Sequence, residues 1–256
     1  MPIPTARIQE IIETSDGALW FAGKYQEAVR LDRGKKRWES FDGLTYQCST
    51  RDTSRWFLTR DHRVVRATPA SHDAKQKVWI RYGYEDGLID SPVRLAVTRG
   101  DVVWAVGSHK GIVAAARFDG KVWTRQLFPQ LSWSIDERAV FEAADGSLWF
   151  GAAADAITDS GQVGGVQHYD PSARVWSHHQ PPSALLATYG VGQTDDGDIW
   201  TGSYGGLRRL HEADKLWSTI TEPSQMQTAD IDVIHTGLKT GLWIGTRGRR
   251  RLSTNT

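Results

Sequence analysis

One heptapeptide, Asp145-Gly146-Ser147-Leu148-Trp149-Phe150-Gly151, constrains this chain more than any other stretch, because it recurs. Asp16-Gly17-Ala18-Leu19-Trp20-Phe21 and Asp196-Gly197-Asp198-Ile199-Trp200-Thr201-Gly202 are close copies. Gly100-Asp101-Val102-Val103-Trp104-Ala105-Val106-Gly107 and Thr240-Gly241-Leu242-Trp243-Ile244-Gly245-Thr246 vary it, and Ser54-Arg55-Trp56-Phe57-Leu58-Thr59 is the most altered copy. The marker tryptophans at 20, 56, 104, 149, 200 and 243 are spaced by 36, 48, 45, 51 and 43 residues. A period of about 40 to 50 residues is the mark of a repeat architecture.

Each copy is followed by a second recurring unit. Gly205-Gly206-Leu207-Arg208-Arg209-Leu210 precedes Lys215-Leu216-Trp217, and Gly164-Gly165-Val166-Gln167-His168-Tyr169-Asp170 precedes Arg174-Val175-Trp176. A second tryptophan thus ends five repeats, at 38, 79, 123, 176 and 217, and only Trp133 of the twelve is left over. Asp-Gly between alternating segments signals a hairpin, so each repeat reads as four short strands, A to D. Strand B is apolar at successive positions (Leu148, Trp149, Phe150), and successive side chains point to opposite faces. Both faces must therefore be covered, as in a radial stack of blades. The predicted fold is all-β: one β-propeller domain over 1–256, built of six four-stranded repeats at about 7–43, 44–88, 89–131, 132–182, 183–224 and 225–256. The last blade is expected to be incomplete, its strand C falling at Arg249 to Leu252. The chain would then be a six-bladed ring with a three-stranded last blade or a fragment of a larger propeller. An open last blade offers backbone groups to a protein partner.

The pattern resembles the two-component regulator propeller repeat, which reads roughly Asp-Gly-x-Leu-Trp-Phe-Gly-Thr followed by Gly-Leu-x-Arg-Tyr-Asp. The match is sharpest in the fourth and fifth repeats and weakest in the second, where Asp52-Thr53-Ser54-Arg55 stands for Asp-Gly-x-Leu. Asp42-Gly43-Leu44 and Asp86-Gly87-Leu88 resemble the short element that opens each next blade. The resemblance implies a bacterial sensor-type propeller in an extracytoplasmic, periplasmic setting. The opening Met1-Pro2-Ile3-Pro4 has neither the basic nor the apolar region of a signal peptide, so the sequence itself leaves the compartment unknown.

Composition excludes several functions. Thirty-one basic residues against thirty acidic ones leave a net charge of +1, so no nucleic-acid role is expected. No apolar run approaches the roughly 20 residues of a membrane-spanning helix. The single Cys48 excludes an internal disulfide and reads as a buried thiol. No zinc spacing, nucleophile elbow or phosphate loop is present, so no metal, cofactor or catalytic residue is assigned. Asp16, Asp145 and Asp196 have a structural task in their turns. Arg247-Gly248-Arg249-Arg250-Arg251 aligns with strand C of the repeat.

In a propeller the B–C and D–A connections share one face, where ligands of many propellers bind. Arg60, His109, Tyr204 and Arg247 hold the first position after strand B in their repeats and are candidate ligand-binding residues. The fourth repeat carries a long B–C insertion from Ala152 to Gly164, bearing Asp155 and Asp159, and long loops on rigid scaffolds tend to carry function. Trp133, which the repeat does not require, offers a stacking surface on a D–A connection. His178-His179 reads as a solvated pair whose members point opposite ways. These features favour a non-catalytic ligand-sensing or protein-interaction propeller, taking a small polar molecule with carbohydrate among the candidates. The alternatives are a propeller lyase or hydrolase similar to the streptogramin lyases, with His109 and the His178-His179 pair as its available histidines, and a structural docking scaffold.

Overall fold

The computed structural model describes residues 8–23, 27–70, 73–131, 134–153, 164–181, 187–203, 206–222, 230–236 and 241–247. Its strands form antiparallel sheets in strict chain order. The first sheet holds β1 (Ile8–Glu13), β2 (Leu19–Gly23), β3 (Glu27–Asp32) and β4 (Arg37–Asp42). The second holds β5 (Leu44–Ser49), β6 (Arg55–Thr59), β7 (Val64–Ala70) and β8 (Asp73–Tyr82). The third holds β9 (Ser91–Val97), β10 (Val103–His109), β11 (Ile112–Phe118) and β12 (Trp123–Leu127). The fourth holds β13 (Ser134–Glu142), β14 (Leu148–Ala153), β15 (Val166–Asp170) and β16 (Val175–His179). The fifth holds β17 (Gly190–Gln193), β18 (Ile199–Ser203), β19 (Gly206–Leu210) and β20 (Trp217–Thr219). Among the described residues the sixth has two strands, β21 (Asp230–Thr236) and β22 (Leu242–Arg247). The third strand expected at 249–252 lies outside the described residues. The chain divides into two compact units, residues 1–110 with 114–126, and residues 111–113 with 127–256.

Trp20, Trp56, Trp104 and Trp149 are buried, and the turns before the marker tryptophans share a set of hydrogen bonds. Thr14 Oγ1 donates to Asp16 Oδ1 at 2.5 Å, as Thr50 does to Asp52 at 2.6 Å and Thr194 to Asp196 at 2.5 Å. The same threonine oxygens accept the indole N–H of Trp56 (3.2 Å) and Trp200 (2.9 Å). A third-strand arginine completes the unit. Arg30, Arg66 and Arg209 pair with Asp16, Asp52 and Asp196 at 2.7, 2.6 and 3.0 Å. The guanidinium of Arg66 lies over the Trp56 ring and that of Arg209 over Trp200, each 5.2 Å from the ring centre, a cation–π arrangement. Burial alone would raise the carboxyls of Asp16 and Asp52, yet the hydrogen bonds from threonine and arginine hold both down to about 2. These are ionised structural carboxylates, as expected from the turns.

Trp20, Trp56 and Trp149 are each roofed by the following sheet of their own unit. Trp20 stacks on Tyr46 at 4.0 Å with an interplanar angle of 10°, and Trp56 meets Phe118 and Trp123 edge-on at 5.2 and 6.1 Å. Trp149 packs with Val191, Ile199 and Leu210. Cys48 is buried in the second sheet's core, where burial pushes its thiol up to about 12. Trp243 departs from its siblings and is 74% exposed.

The altered second copy keeps the geometry at a conformational cost. Gly17, Gly146 and Gly197 sit at φ of +73°, +86° and +90°, and Thr53 occupies the same turn position at +63°. A β-branched residue there is strained by roughly 1–2 kcal/mol. Thr53→Gly is therefore expected to stabilise the first unit by about 0.5–1 kcal/mol, after allowing for the entropy of an added glycine. A rise in the urea midpoint of unfolding at unchanged slope would show it; an equal or lower midpoint would contradict the strain argument.

Candidate functional site

Two of the seven candidate residues have described side chains. Arg60 is exposed in the β6–β7 turn, which Thr59 Oγ1 closes by donating to Asp61 Oδ1 at 2.6 Å. His109 ends β10 and is 6% exposed. Tyr204, Trp133, Asp155 and Asp159 lie outside the described residues, and Arg247 is described only as the β22 backbone position opposite Asp230.

His109 is built into the first unit. Arg125 Nη1 approaches its Nε2 at 2.8 Å, and Nδ1 lies 3.4 Å from Asp90 Oδ2. A guanidinium has only donors, so Nε2 accepts from Arg125, and the Asp90 backbone N–H is directed at Nδ1 at 3.2 Å, so that donors face both ring nitrogens. Arg125 is itself fixed by the carbonyls of Gly87 (3.0 Å) and Tyr84 (2.6 Å). Burial, and then the charge of Arg125, hold the imidazole below its ordinary value. It is a neutral ring whose basic nitrogen is occupied. Arg125→Gln removes the cation and should raise the His109 pKa toward the ordinary 6.5 or so, measurable by imidazole NMR titration. An unchanged value would show that Arg125 has no electrostatic hold on the ring.

A second cluster, in the other unit, has no counterpart among the sequence candidates. Between Ile135, which pairs with Ala152, and Val140, which pairs with Phe150, β13 bulges. Bulges re-aim side chains and are common beside functional sites. Within this one Asp136 accepts from the Arg138 backbone at 2.9 Å and from its Nε and Nη2 at 2.8 and 2.9 Å. Arg138 Nη1 reaches Asp232 on β21 at 3.2 Å, and its guanidinium lies 4.5 Å above the ring of Tyr189, which precedes β17. The first strands of the fourth and sixth sheets and the residue that precedes β17 are thus clasped by one arginine. Gly151, opposite the bulge, shows how close the packing is: a Cβ there would lie 2.6 Å from Ala139 Cβ and 2.7 Å from the Thr188 carbonyl.

Two carboxylates face one guanidinium. The clasp sits one residue from the Ile135–Ala152 pair, at the end of β14 from which the 152–164 insertion departs. The first unit has smaller versions of the same device. Arg94 on β9 forms a bidentate pair with Glu10 on β1 (2.6 and 2.8 Å). The Leu95 N–H donates to Gln47 Oε1 at 3.0 Å, and Gln47 occupies the β5 bulge between Tyr46 and Cys48. Polar side chains at or beside first-strand bulges therefore reach sideways to the first strands of other sheets in the same unit. The sequence signal is modest but present, in Ile8-Gln9, Ile135-Asp136 and Ile231-Asp232 at equivalent places.

The adjacent histidines are not a solvated pair. His179 is half-buried against Trp149 at 5.0 Å, and His178 Nε2 donates to the Gly164 carbonyl at 3.0 Å. Among the described residues, no group of three or more His, Cys, Asp or Glu side chains is arranged to hold a metal ion. No described helix is long and apolar enough to cross a membrane.

No protein-family model matches the sequence. No curated protein matches it. Solved structures do resemble the fold. The extracellular domain of BT4673 from B. thetaiotaomicron, described as a one-component system, aligns with TM-score 0.65 at 14% identity, over 94% of this chain and 31% of that one. The extracellular domain of the hybrid two-component system BT3049 from the same organism gives 0.64 at 16%, over 92% and 32%. A catalytically inactive variant of virginiamycin B lyase from Staphylococcus aureus, solved with Quinupristin, gives 0.67 at 15%, over 96% and 79%. At these identities the likeness shows the fold alone, and that fold is the β-propeller. The chain spans about a third of the two B. thetaiotaomicron domains.

Proposed function

We propose that this chain is a non-catalytic recognition propeller of the two-component regulator type, sensing a small hydroxyl-rich molecule or a protein segment. The observation that carries the reading is the state of His109: buried, neutral, and with its basic nitrogen against Arg125. General-base chemistry needs a nitrogen free to take a proton, and this ring offers none. The Asp136–Arg138–Asp232 clasp instead supplies fixed, preorganised polar groups, carboxylate oxygens among them. Such groups suit a ligand rich in hydrogen-bond donors, a carbohydrate among them, held where the 152–164 insertion and its Asp155 and Asp159 emerge. The likeness to extracellular domains of sensor systems supports the class and an extracytoplasmic setting. A thermal-shift screen of oligosaccharides and polyols tests it. A stabilising hit should be lost or weakened in Asp232→Asn; a hit unaffected by that change would place recognition elsewhere, and a panel without hits would remove the small-molecule reading.

A second reading, a propeller lyase, is favoured by the alignment with virginiamycin B lyase, which spans most of both chains. It requires Arg125 to leave His109 when substrate binds. Conversion of Quinupristin, lost in His109→Ala with the fold intact, would establish it.

A further inference from the structure

The fourth sheet breaks the repeat's charge rule. Where Arg30, Arg66 and Arg209 stand opposite Trp20, Trp56 and Trp200, His168 stands opposite Trp149. Its ring stacks on the indole at 4.3 Å and 24°. A permanent cation has been exchanged for a titratable ring. A second imidazole, His179, lies against the same indole and 5.6 Å from the first ring. Both converge on one hydroxyl: Ser177 Oγ is 3.1 Å from His168 Nδ1 and 3.3 Å from His179 Nε2. The contact continues into the fifth sheet, where Trp217 lies 6.4 Å from His179.

We propose that this face of β15 and β16 is a proton-operated joint between the fourth and fifth sheets, closed when both imidazoles are neutral and loosened when both are charged. One cation over an indole is tolerated, as the arginines of the second and fifth sheets show. Two imidazolium rings sharing one indole and one hydroxyl repel each other. The surrounding charges divide the roles. His168 faces Asp145 in the turn before β14, Asp170 at the end of its own strand and Lys215 from the fifth sheet. Among the described residues the charges that bear on His179 are those of His168 and His178, both of which disfavour its proton. Burial lowers the affinity of both rings for a proton, and His179 is brought down to about 4. The unfolded chain then binds protons first. Stability is full above pH 6.5 or so and falls as pH drops toward about 4, a window distinct from the more acidic one of Asp16 and Asp52. His178, on the other face of β16, donates to the Gly164 carbonyl, so loosening this strand also weakens that contact.

Imidazole NMR titration and hydrogen exchange at pH 7.5 and 5.0, corrected for intrinsic rates, test the joint on the intact chain. His179 should titrate far below the ordinary value, and His168→Gln should raise it. Protection in β16, β17 and β20 should drop by about tenfold at pH 5.0 while β5–β7 hold theirs. His179→Phe should abolish the drop. An ordinary His179 titration in the native chain would overturn the proposal, whether or not the variants fold. So would a pH-dependent loss that persists in His179→Phe.

Discussion

Arg138→Ala is expected to destabilise the second unit by about 3–5 kcal/mol, the cost of breaking a buried ion pair while leaving one partner behind. The side chain of Asp136 is only 10% exposed and takes two guanidinium hydrogen bonds from Arg138. Without that arginine the carboxylate must stay charged in poor solvent or take up a proton. Asp232 and the face of Tyr189 lose the same partner. Lysine cannot substitute, because a single ammonium does not reproduce the bidentate fork. Removing the charge as well, in Asp136→Asn/Arg138→Leu, should recover much of the loss. Urea unfolding of the parent chain and these two variants checks this. If Arg138→Ala costs less than about 1 kcal/mol, the clasp is a surface pair of little weight.

Trp56→Ala should cost the first unit a similar amount, about 3–5 kcal/mol, as large core truncations do. The ring is 1% exposed and touches Tyr82, Phe118 and Trp123, aromatic residues of two sheets. Its N–H also bonds to Thr50, and Arg66 lies over its face. A cavity of that size cannot close without moving both sheets. Trp243→Ala is the internal control: at 74% exposure it should change stability by no more than about 0.5 kcal/mol. Equal losses at the two positions would contradict the packing described for the repeat.

The repeat was legible because its residues have local tasks. Asp-Gly makes the turn, tryptophan fills the space between sheets, and the third-strand arginine sits opposite it. Even the altered second copy kept those tasks, with Thr53 forced into glycine's conformation. Strand order and sheet number follow from such local signals. The polar clusters do not, because they depend on partners far apart in the chain. Arg138 meets Asp232 across 94 positions, and Glu10 meets Arg94 across 84. His109 shows the limit most clearly. Its place at the end of strand B could be read from the repeat, and its occlusion by Arg125 could not, since that arginine arrives from β12. His168 was the reverse case: a departure from the repeat at a position whose role the siblings define.

Equilibrium dialysis of the intact chain against a mixture of oligosaccharides and Quinupristin, with chromatography of both compartments, tests the central claim in one measurement. A recognition propeller retains at least one hydroxyl-rich solute on the protein side, and every solute is recovered chemically unchanged. Conversion of any solute at a rate proportional to protein concentration would contradict it, and retention of none would remove its small-molecule form.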